Sequence, residues 1–437
     1  MRGISFVAFI ACCGVRAATF EEAVVAAYNN NPGWFASQTE KRIVDEQFTQ
    51  AQMMFLPDVS GKVSTSRRKT EFVGTDANYN PPISNVRGSS KQTDTGMTVT
   101  VTQNLFNGFS TVNAIKASDN DAKAAYHKLK FEEQNLIVKV LEAYTKIWVG
   151  RQKVAAMRKK EENLKKTLDS QNSSLEAGVV TPSDVAQASA NHQKAIFERI
   201  EAETELFSAE SEFEKLTGLK ADKNLELPDL NIQLPESLDK LISQALTSDH
   251  SIKYYQLTKK SAEHKLYATR GGLSPRCDLA LQAGRSLSKR SYNDSQNNYV
   301  ASLEVTVPIF SNSQSQGNTY SSIAIASQKA LEAKFREEDV VLEVKKNCVV
   351  NWNTHLSAAA MINASRSAVK SAELSSASNL EESEMGTKSN TDVLVKENQL
   401  LESRIDLAKS RGQKLVAVVK LYALTGNLSL SSILKKK

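Results

Sequence analysis

Only nine prolines and eighteen glycines occur in 437 residues, and scarcity of both helix breakers favours long uninterrupted elements. Beyond residue 20 there is no run of about 18 apolar residues, so no transmembrane helix is available and a helical membrane transporter is excluded. Four cysteines and five histidines leave little material for a metal site. Cys12 and Cys13 sit near the N-terminus, Cys277 and Cys348 stand alone, and no C-x-x-C or H-E-x-x-H spacing is present. A Gly-rich phosphate loop and a G-x-S-x-G context are also missing. These absences argue against an enzyme, a cofactor and a metal centre. Lys plus Arg exceed Asp plus Glu by 55 to 49, a net charge of +6 that is too dilute over this length to mark a nucleic-acid binder. A hydrophobic fraction of 41% and a charged fraction of 24% suit a folded chain.

The N-terminus reads as an address. Met1-Arg2-Gly3 gives a positive start, Ile4 to Ile10 is almost wholly apolar, and Ala11 to Ala18 ends in small residues. Residues 1–18 are therefore expected to be a secretory signal peptide cut near Ala17 or Ala18. Cys12 after Phe-Ile-Ala weakly matches a lipoprotein cleavage site and offers a lipid anchor as the alternative.

The chain repeats one plan twice. Phe20-Glu-Glu-Ala-Val-Val-Ala-Ala-Tyr-Asn-Asn-Asn31 aligns with Leu238-Asp-Lys-Leu-Ile-Ser-Gln-Ala-Leu-Thr-Ser-Asp249, and the same offset carries Pro57 onto Pro275. Asn104-Leu-Phe-Asn107 falls on Pro308-Ile-Phe-Ser311. Glu176-Ala-Gly-Val-Val-Thr-Pro-Ser-Asp-Val185 falls on Glu384-Met-Gly-Thr-Lys-Ser-Asn-Thr-Asp-Val393, and Leu216-Thr-Gly218 recurs as Leu424-Thr-Gly426. Four matches in order, with slowly drifting offsets, indicate a duplication. The expected organisation is a first repeat over 19–218, a linker over 219–236 carrying Pro228 and Pro235, a second repeat over 237–426 and a tail over 427–437.

Each repeat reads as helix, strand, strand, long helix, break, helix. The opening helices are expected over Phe20–Phe55 and Ser237–Leu273, stopped by Pro57 and Pro275. Ile137, Leu141, Tyr144 and Trp148 recur at helical steps, as do Val341, Val344, Cys348 and Trp352, with Glu, Lys, Gln and Ala between them in a coiled-coil-like pattern. The stretch from about Ser110 to Ala177 would be ~100 Å long as helix. Gly178 with Pro182, and Gly386, mark two hairpin tips, since glycine supplies the left-handed C-terminal cap. The return helices are expected to start at Ser183 or Asp184 and at Thr391 or Asp392.

Four extended segments lie between the helices, at about Asp58–Arg67, Thr95–Leu105, Arg276–Arg285 and Tyr299–Ile309, joined by polar loops over Phe72–Gln92 and Ser288–Asn297. Met97, Val99 and Val101 alternate with Thr98, Thr100 and Thr102, and Leu303, Val305 and Val307 alternate with Ser302, Glu304 and Thr306. Alternation over about 10 residues is the signature of a membrane β-strand. Open sheet edges are not tolerated in lipid, and four strands are below the ~8 that close a membrane barrel. Several copies must then share one barrel, and three would supply twelve strands. A secreted coiled-coil scaffold is the alternative, but it leaves the alternating strands unexplained.

These features together resemble the TolC-like outer membrane efflux proteins over nearly the whole mature length. The resemblance rests on the duplicated plan, Thr19-Phe-Glu-Glu-Ala with Asn31-Pro32, Leu105-Phe-Asn-Gly108, Ala177-Gly-Val-Val with Ser183-Asp-Val185, Gly386-Thr-Lys with Thr391-Asp-Val-Leu394, and Leu-Thr-Gly closing both copies. It implies a mainly α fold of long coiled-coil hairpins with a membrane β-barrel portion. It further implies a homotrimer with a 12-stranded barrel and a helical periplasmic tunnel, in contact with outer-membrane lipid. The implied role is the exit duct of a tripartite export system, with a periplasmic adaptor protein and an inner-membrane pump as partners, carrying small molecules or secreted polypeptides. Such channels are gated at the hairpin tips. By resemblance Asp392 matches the first of two acidic gate positions, whereas the second is Val395. Lys388 stands where the family often has an arginine latch, and Asp184 is its candidate partner. A lysine cannot reproduce the planar two-point contact of an arginine.

Overall fold

The computed structural model describes residues 16–17, 19–76, 83–222, 225–230, 232–289, 293–308, 319–385 and 387–434. The expected leader up to Val15, the tip glycine Gly386, the segment after Pro308 and the last three lysines lie outside the described residues. The chain runs β1 (Arg16–Ala17), α1 (Phe20–Asn30), α2 (Pro32–Met53), β2 (Asp58–Asp76), β3 (Ile83–Phe106), α3 (Ser110–Glu176) and α4 (Pro182–Thr217). After β4 (Lys220–Ala221), which pairs in parallel with β1, the same order returns. It comprises α5 (Leu238–Ser248), α6 (His250–Arg270), β5 (Arg276–Lys289), β6 (Asn293–Thr306), α7 (Thr319–Glu384) and α8 (Asn390–Leu424), closed by α9 (Leu430–Leu434).

Three expectations change. The opening helices are not continuous: each breaks at a polar residue, Asn31 in the first copy and Asp249 in the second. The Asn31 side-chain oxygen accepts from Trp34 N–H at 3.0 Å, and Asp249 Oδ1 accepts from Ser251 N–H at 2.8 Å and Ile252 N–H at 3.2 Å. Each therefore caps the helix that follows. The strands also extend beyond the expected loops, with β2 and β3 paired from Asp58↔Thr102 to Asp76↔Ile83 and β5 and β6 from Arg276↔Thr306 to Lys289↔Asn293. These outer stretches are mostly polar, and their few apolar residues, such as Phe72 and Val73, fall on opposite faces, so alternation does not reveal them. Finally, the return helices begin earlier, at Pro182 and Asn390, with Thr181 and Ser389 as the N-caps.

The chain divides into two compact units. The helical one comprises Met1–Glu40, Tyr126–Tyr254 and Glu338–Lys437. Its main core gathers Phe20, Val24 and Ala27 of α1, Ile137, Leu141, Tyr144 and Ile147 of α3, Phe213 of α4 and Val419 of α8. The helical steps over Ile137–Tyr144 thus face the interior, and burying each such side chain contributes about 1.5–3 kcal/mol. Tyr144 packs edge-on against Phe20 at 6.0 Å and donates its hydroxyl to Glu226 O at 2.8 Å. A second cluster joins Leu241, Ala245, Ile252, Val344, Cys348 and Leu421, where burial pushes the Cys348 thiol up to about 11. Along α4, Ala188, Ala195, Ala202 and Ala209 are buried at steps of seven, a coiled-coil seam of small residues.

The other unit comprises Lys41–Ala125 and Tyr255–Glu337 and holds a four-stranded sheet, order β2-β3-β5-β6, all antiparallel. At its helix end two glycines let backbones meet. A Cβ on Gly271 would lie 2.7 Å from Gly108 O, and Gly108 itself has φ +64°. Ser110 donates to Ala268 O at 2.8 Å beside them.

Candidate functional site

The sheet register sorts residues into two faces. One ladder row reads Val59–Val101–Leu281–Ala301, the next Gly61–Val99–Ala283–Tyr299, and below them Leu279 pairs with Leu303 and Cys277 with Val305. The rows between are Asp58–Thr102–Ala280–Ser302, Ser60–Thr100–Gln282–Val300 and Lys62–Thr98–Gly284–Asn298. One face is thus apolar across all four strands and the other is mostly polar. The apolar face is open: Val59 is 63% exposed, Val63 75%, Leu303 63% and Val305 61%. About ten residues per strand, ~33 Å along the chain, give a band ~25 Å tall at the ~40° tilt usual in barrels. Among the described residues no helix is long and apolar enough to cross a membrane. Among the described residues neither outer strand of the sheet, β2 or β6, has a partner strand on its far edge.

In the helical unit the two tips share one chemistry. After α3, Gly178 adopts φ +70° while its N–H reaches Leu175 O and Val179 N–H reaches Ser174 O, both at 2.9 Å. This is the paired closure of a left-handed cap. Thr181 Oγ1 then accepts from Asp184 N–H at 3.3 Å, and Asp184 Oδ2 takes Thr181 N–H and its hydroxyl, both at 2.8 Å. Pro182 occupies the first helical position, where a missing N–H costs nothing. Thr181's donors hold the Asp184 carboxyl below its usual range. The second tip repeats this with Ser389 and Asp392: Ser389 Oγ accepts from Asp392 N–H at 3.2 Å and Ser389 N–H donates to Asp392 Oδ2 at 3.3 Å. Both aspartates are therefore third-residue partners of a capping box rather than N-caps. Thr387 N–H closes on Glu382 O at 2.9 Å, and the Lys388 ammonium lies 4.0 Å from the Glu382 carboxylate. Val395 is exposed.

Sequence reasoning missed the polar stitches behind the tips. Lys160 of α3 bridges Glu198 of α4 and Glu402 of α8, each at 3.0 Å. Asn163 of α3, fully buried, donates to Glu397 at 3.0 Å and Asn398 at 3.2 Å, both on α8. These tie the first hairpin to the second. The structure also joins two histidines that are far apart in sequence: the Nδ1 atoms of His127 and His250 approach to 3.0 Å. Burial, His250 and Lys253 together push His127 down to about 4. No group of three or more potential metal ligands occurs among the described residues.

The sequence model of the outer membrane efflux protein family matches residues 24–219 and again 241–427. The chain is 26% identical over 414 residues to the outer membrane efflux protein BepC of Brucella suis biovar 1 (strain 1330), covering 94% of this chain and 86% of that one. It is 24% identical over 312 residues to the alkaline protease secretion protein AprF of Pseudomonas aeruginosa, covering 69% and 63%. Its fold superposes on the CmeC outer membrane channel of Campylobacter jejuni with a TM-score of 0.76 at 16% identity, covering 95% of this chain and 88% of that one. These relatives are channel and secretion proteins rather than enzymes. The chain belongs to the outer membrane efflux protein family, the TolC-like channels, and its place is the outer membrane.

Proposed function

We propose that three copies of this chain form one exit duct, in which the β2–β6 sheets close a 12-stranded barrel and the hairpin tips gate its periplasmic mouth. The observation that carries the reading is the sheet: four strands, a continuous exposed apolar face and two free edges. Open edges are unstable in lipid. Because β2 and β6 run in opposite directions, joining β6 of one copy to β2 of the next keeps every pair antiparallel. A dimer would have eight strands, whose lumen side chains fill, whereas twelve leave room for cargo.

In this reading the two structural repeats, 19–218 and 237–426, each supply a hairpin, and the tips meet a periplasmic adaptor that links the duct to an inner-membrane pump. The duct itself carries cargo, small molecules or secreted polypeptides, without chemistry. Asp392 and Asp184 contribute acidic rings at the constriction, and Lys388 reaches a carboxylate of the neighbouring copy, Asp184 being its partner. Gly178, Pro182 and Gly386 shape the turns. Opening requires the second hairpin to leave the first, breaking the Lys160–Glu402 and Asn163–Glu397 contacts.

Planar-bilayer conductance tests the gate. Wild type is expected to pass small cation-preferring currents. Asp392→Asn retains an oxygen for the capping box but removes the charge, so it should lose cation preference with the fold intact. Unchanged selectivity in Asp392→Asn would reduce Asp392 to a helix cap. Absence of any current from detergent-purified protein would sink the duct reading.

A further inference from the structure

The outward face of the sheet does not end where its apolar band ends. Continuing away from the helix end, the same ladder positions carry Arg285 beside Met97, then Thr65, Thr95 and Leu287, then Arg67–Thr93–Lys289, and then Lys69 opposite Lys91. Arg67, Lys69, Lys91, Arg285 and Lys289 are all exposed. Among the described residues only Lys69 of the five has a salt-bridge partner, Glu71. Three features distinguish this belt from an ordinary solvated rim. Like charges directly opposite on a ladder are destabilising, yet Lys69 faces Lys91, and of the two only Lys69 has a carboxylate, Glu71, paired with it among the described residues. On the inward face at the same height both signs of charge occur, Arg68 standing near Asp94, whose carboxylate accepts from Ser288 at 2.7 Å and Gln92 at 2.8 Å. The cations are also confined to one end: the helix-side end of the outward face finishes in Phe106, Cys277 and Val305.

We propose that this belt is a docking surface for the phosphorylated headgroups of the outer leaflet, with lipid A, an acylated sugar bisphosphate, as the ligand. The inference rests on the outer-membrane channel reading, which puts the apolar band in lipid and the hairpin end outside. A lipid whose acyl chains lie against Val63, Met97 and Leu287 presents its phosphates one or two ladder rows higher, about 7–13 Å along the strands, at Arg67, Lys289, Lys69 and Lys91. Each phosphate can bridge cations on neighbouring strands, so the ligand relieves the Lys69–Lys91 repulsion. Continuity with the lipid-facing band favours a lipid over a soluble anion, because both halves of the ligand are then matched on one surface.

The test uses the full-length protein in detergent, with bound lipids counted by native mass spectrometry and conductance measured on the same preparations. The quadruple variant Arg67→Gln, Lys69→Gln, Lys91→Gln, Lys289→Gln is compared with wild type and with an inward-face control, Lys62→Gln, Arg68→Gln. Wild type and control should retain bisphosphorylated lipid A on the order of a hundredfold more tightly than the quadruple variant, with the monophosphorylated form intermediate. Inorganic phosphate should not compete. Equal retention by the quadruple variant, or an equal loss in the inward-face control, would overturn the proposal. Full competition by inorganic phosphate would overturn the lipid as its ligand. Loss of lipid discrimination with conductance intact counts against the belt alone, whereas absence of conductance in wild type counts against the channel reading.

Discussion

Replacing Asp249 separates capping from charge at the point where the opening helix of the second repeat breaks. Asp249 is 3% exposed, and its Oδ1 accepts the N–H groups of Ser251 and Ile252 as well as the Ser251 hydroxyl. In Asp249→Ala the cap is lost, at about 1–2 kcal/mol. The buried Ile252 N–H is also left without a partner, at about 1–3 kcal/mol more. The total is about 3 kcal/mol. Asp249→Asn retains the acceptor oxygen. Burial raises the Asp249 carboxyl above its ordinary 3.8, so between 3.8 and the folded value the folded state holds the extra proton. Stability therefore falls as pH rises through that window, and at neutral pH the buried carboxylate carries the cost. The amide should match or exceed wild type at neutral pH and lose the gain on the acid side. The matched position in the first repeat gives the opposite sign. Asn31 accepts from Trp34 N–H but also donates to Leu216 O at 3.0 Å, so Asn31→Asp would set a carboxylate against a carbonyl and cost about 2 kcal/mol. Thermal unfolding followed by circular dichroism, across pH, reads all three variants. If Asp249→Asn is as damaging as Asp249→Ala, or Asn31→Asp is neutral, capping does not explain the breaks.

The His127–His250 contact should make the helical unit acid-sensitive. His127, depressed to about 4 from 6.5, stays neutral when folded, so the unfolded chain takes the proton first and stability is lost as pH falls from about 6.5 toward about 4. Because the ring is only partly buried, the loss is on the order of 1 kcal/mol, and His127→Gln should flatten the pH dependence of the unfolding midpoint. Glycine positions should separate conformation from space. Gly178 and Gly426 both have positive φ, but a Cβ at Gly178 meets nothing within 4 Å, whereas one at Gly426 would lie 2.6 Å from Ser248 O. Gly178→Ala should cost about 1 kcal/mol and Gly426→Ala roughly twice that or more, measured by the same melts.

Much of the fold is written in local signals. Pro57 and Pro275 end the opening helices before the strands, the steps Ile137–Leu141–Tyr144 face the core, and the alternation at Met97–Val101 and Leu303–Val307 marks the apolar face. The break at Asn31 had a readable cue in Pro32, which suits a first helical position, but Asp249 is followed by His250 and offers no such cue. Strand pairing beyond Arg67 is invisible because polar residues dominate both faces there and the few apolar ones, such as Phe72 and Val73, fall on opposite faces, so period two carries no contrast. The tip aspartates were legible as helix-start residues. Their exact role depends on Thr181 and Ser389 three residues earlier, which a capping-box pattern ending in Asp rather than Glu makes harder to see. The Lys160 and Asn163 stitches and the histidine pair join segments more than a hundred residues apart, except for Lys160 with Glu198, and no spacing announces them.

The claim that three sheets close one barrel is tested most directly by disulfide trapping between the two free edges. A cysteine at Gly61 on β2 is combined with a scan of single cysteines from Tyr299 to Leu303 on β6, in a background with Cys277 and Cys348 changed to Ser. Oxidation in the membrane, read on a denaturing gel, should give a ladder that stops at three chains for at least one position of the scan. A ladder stopping at two chains, one without an end, or no bond between chains at any position would contradict the account.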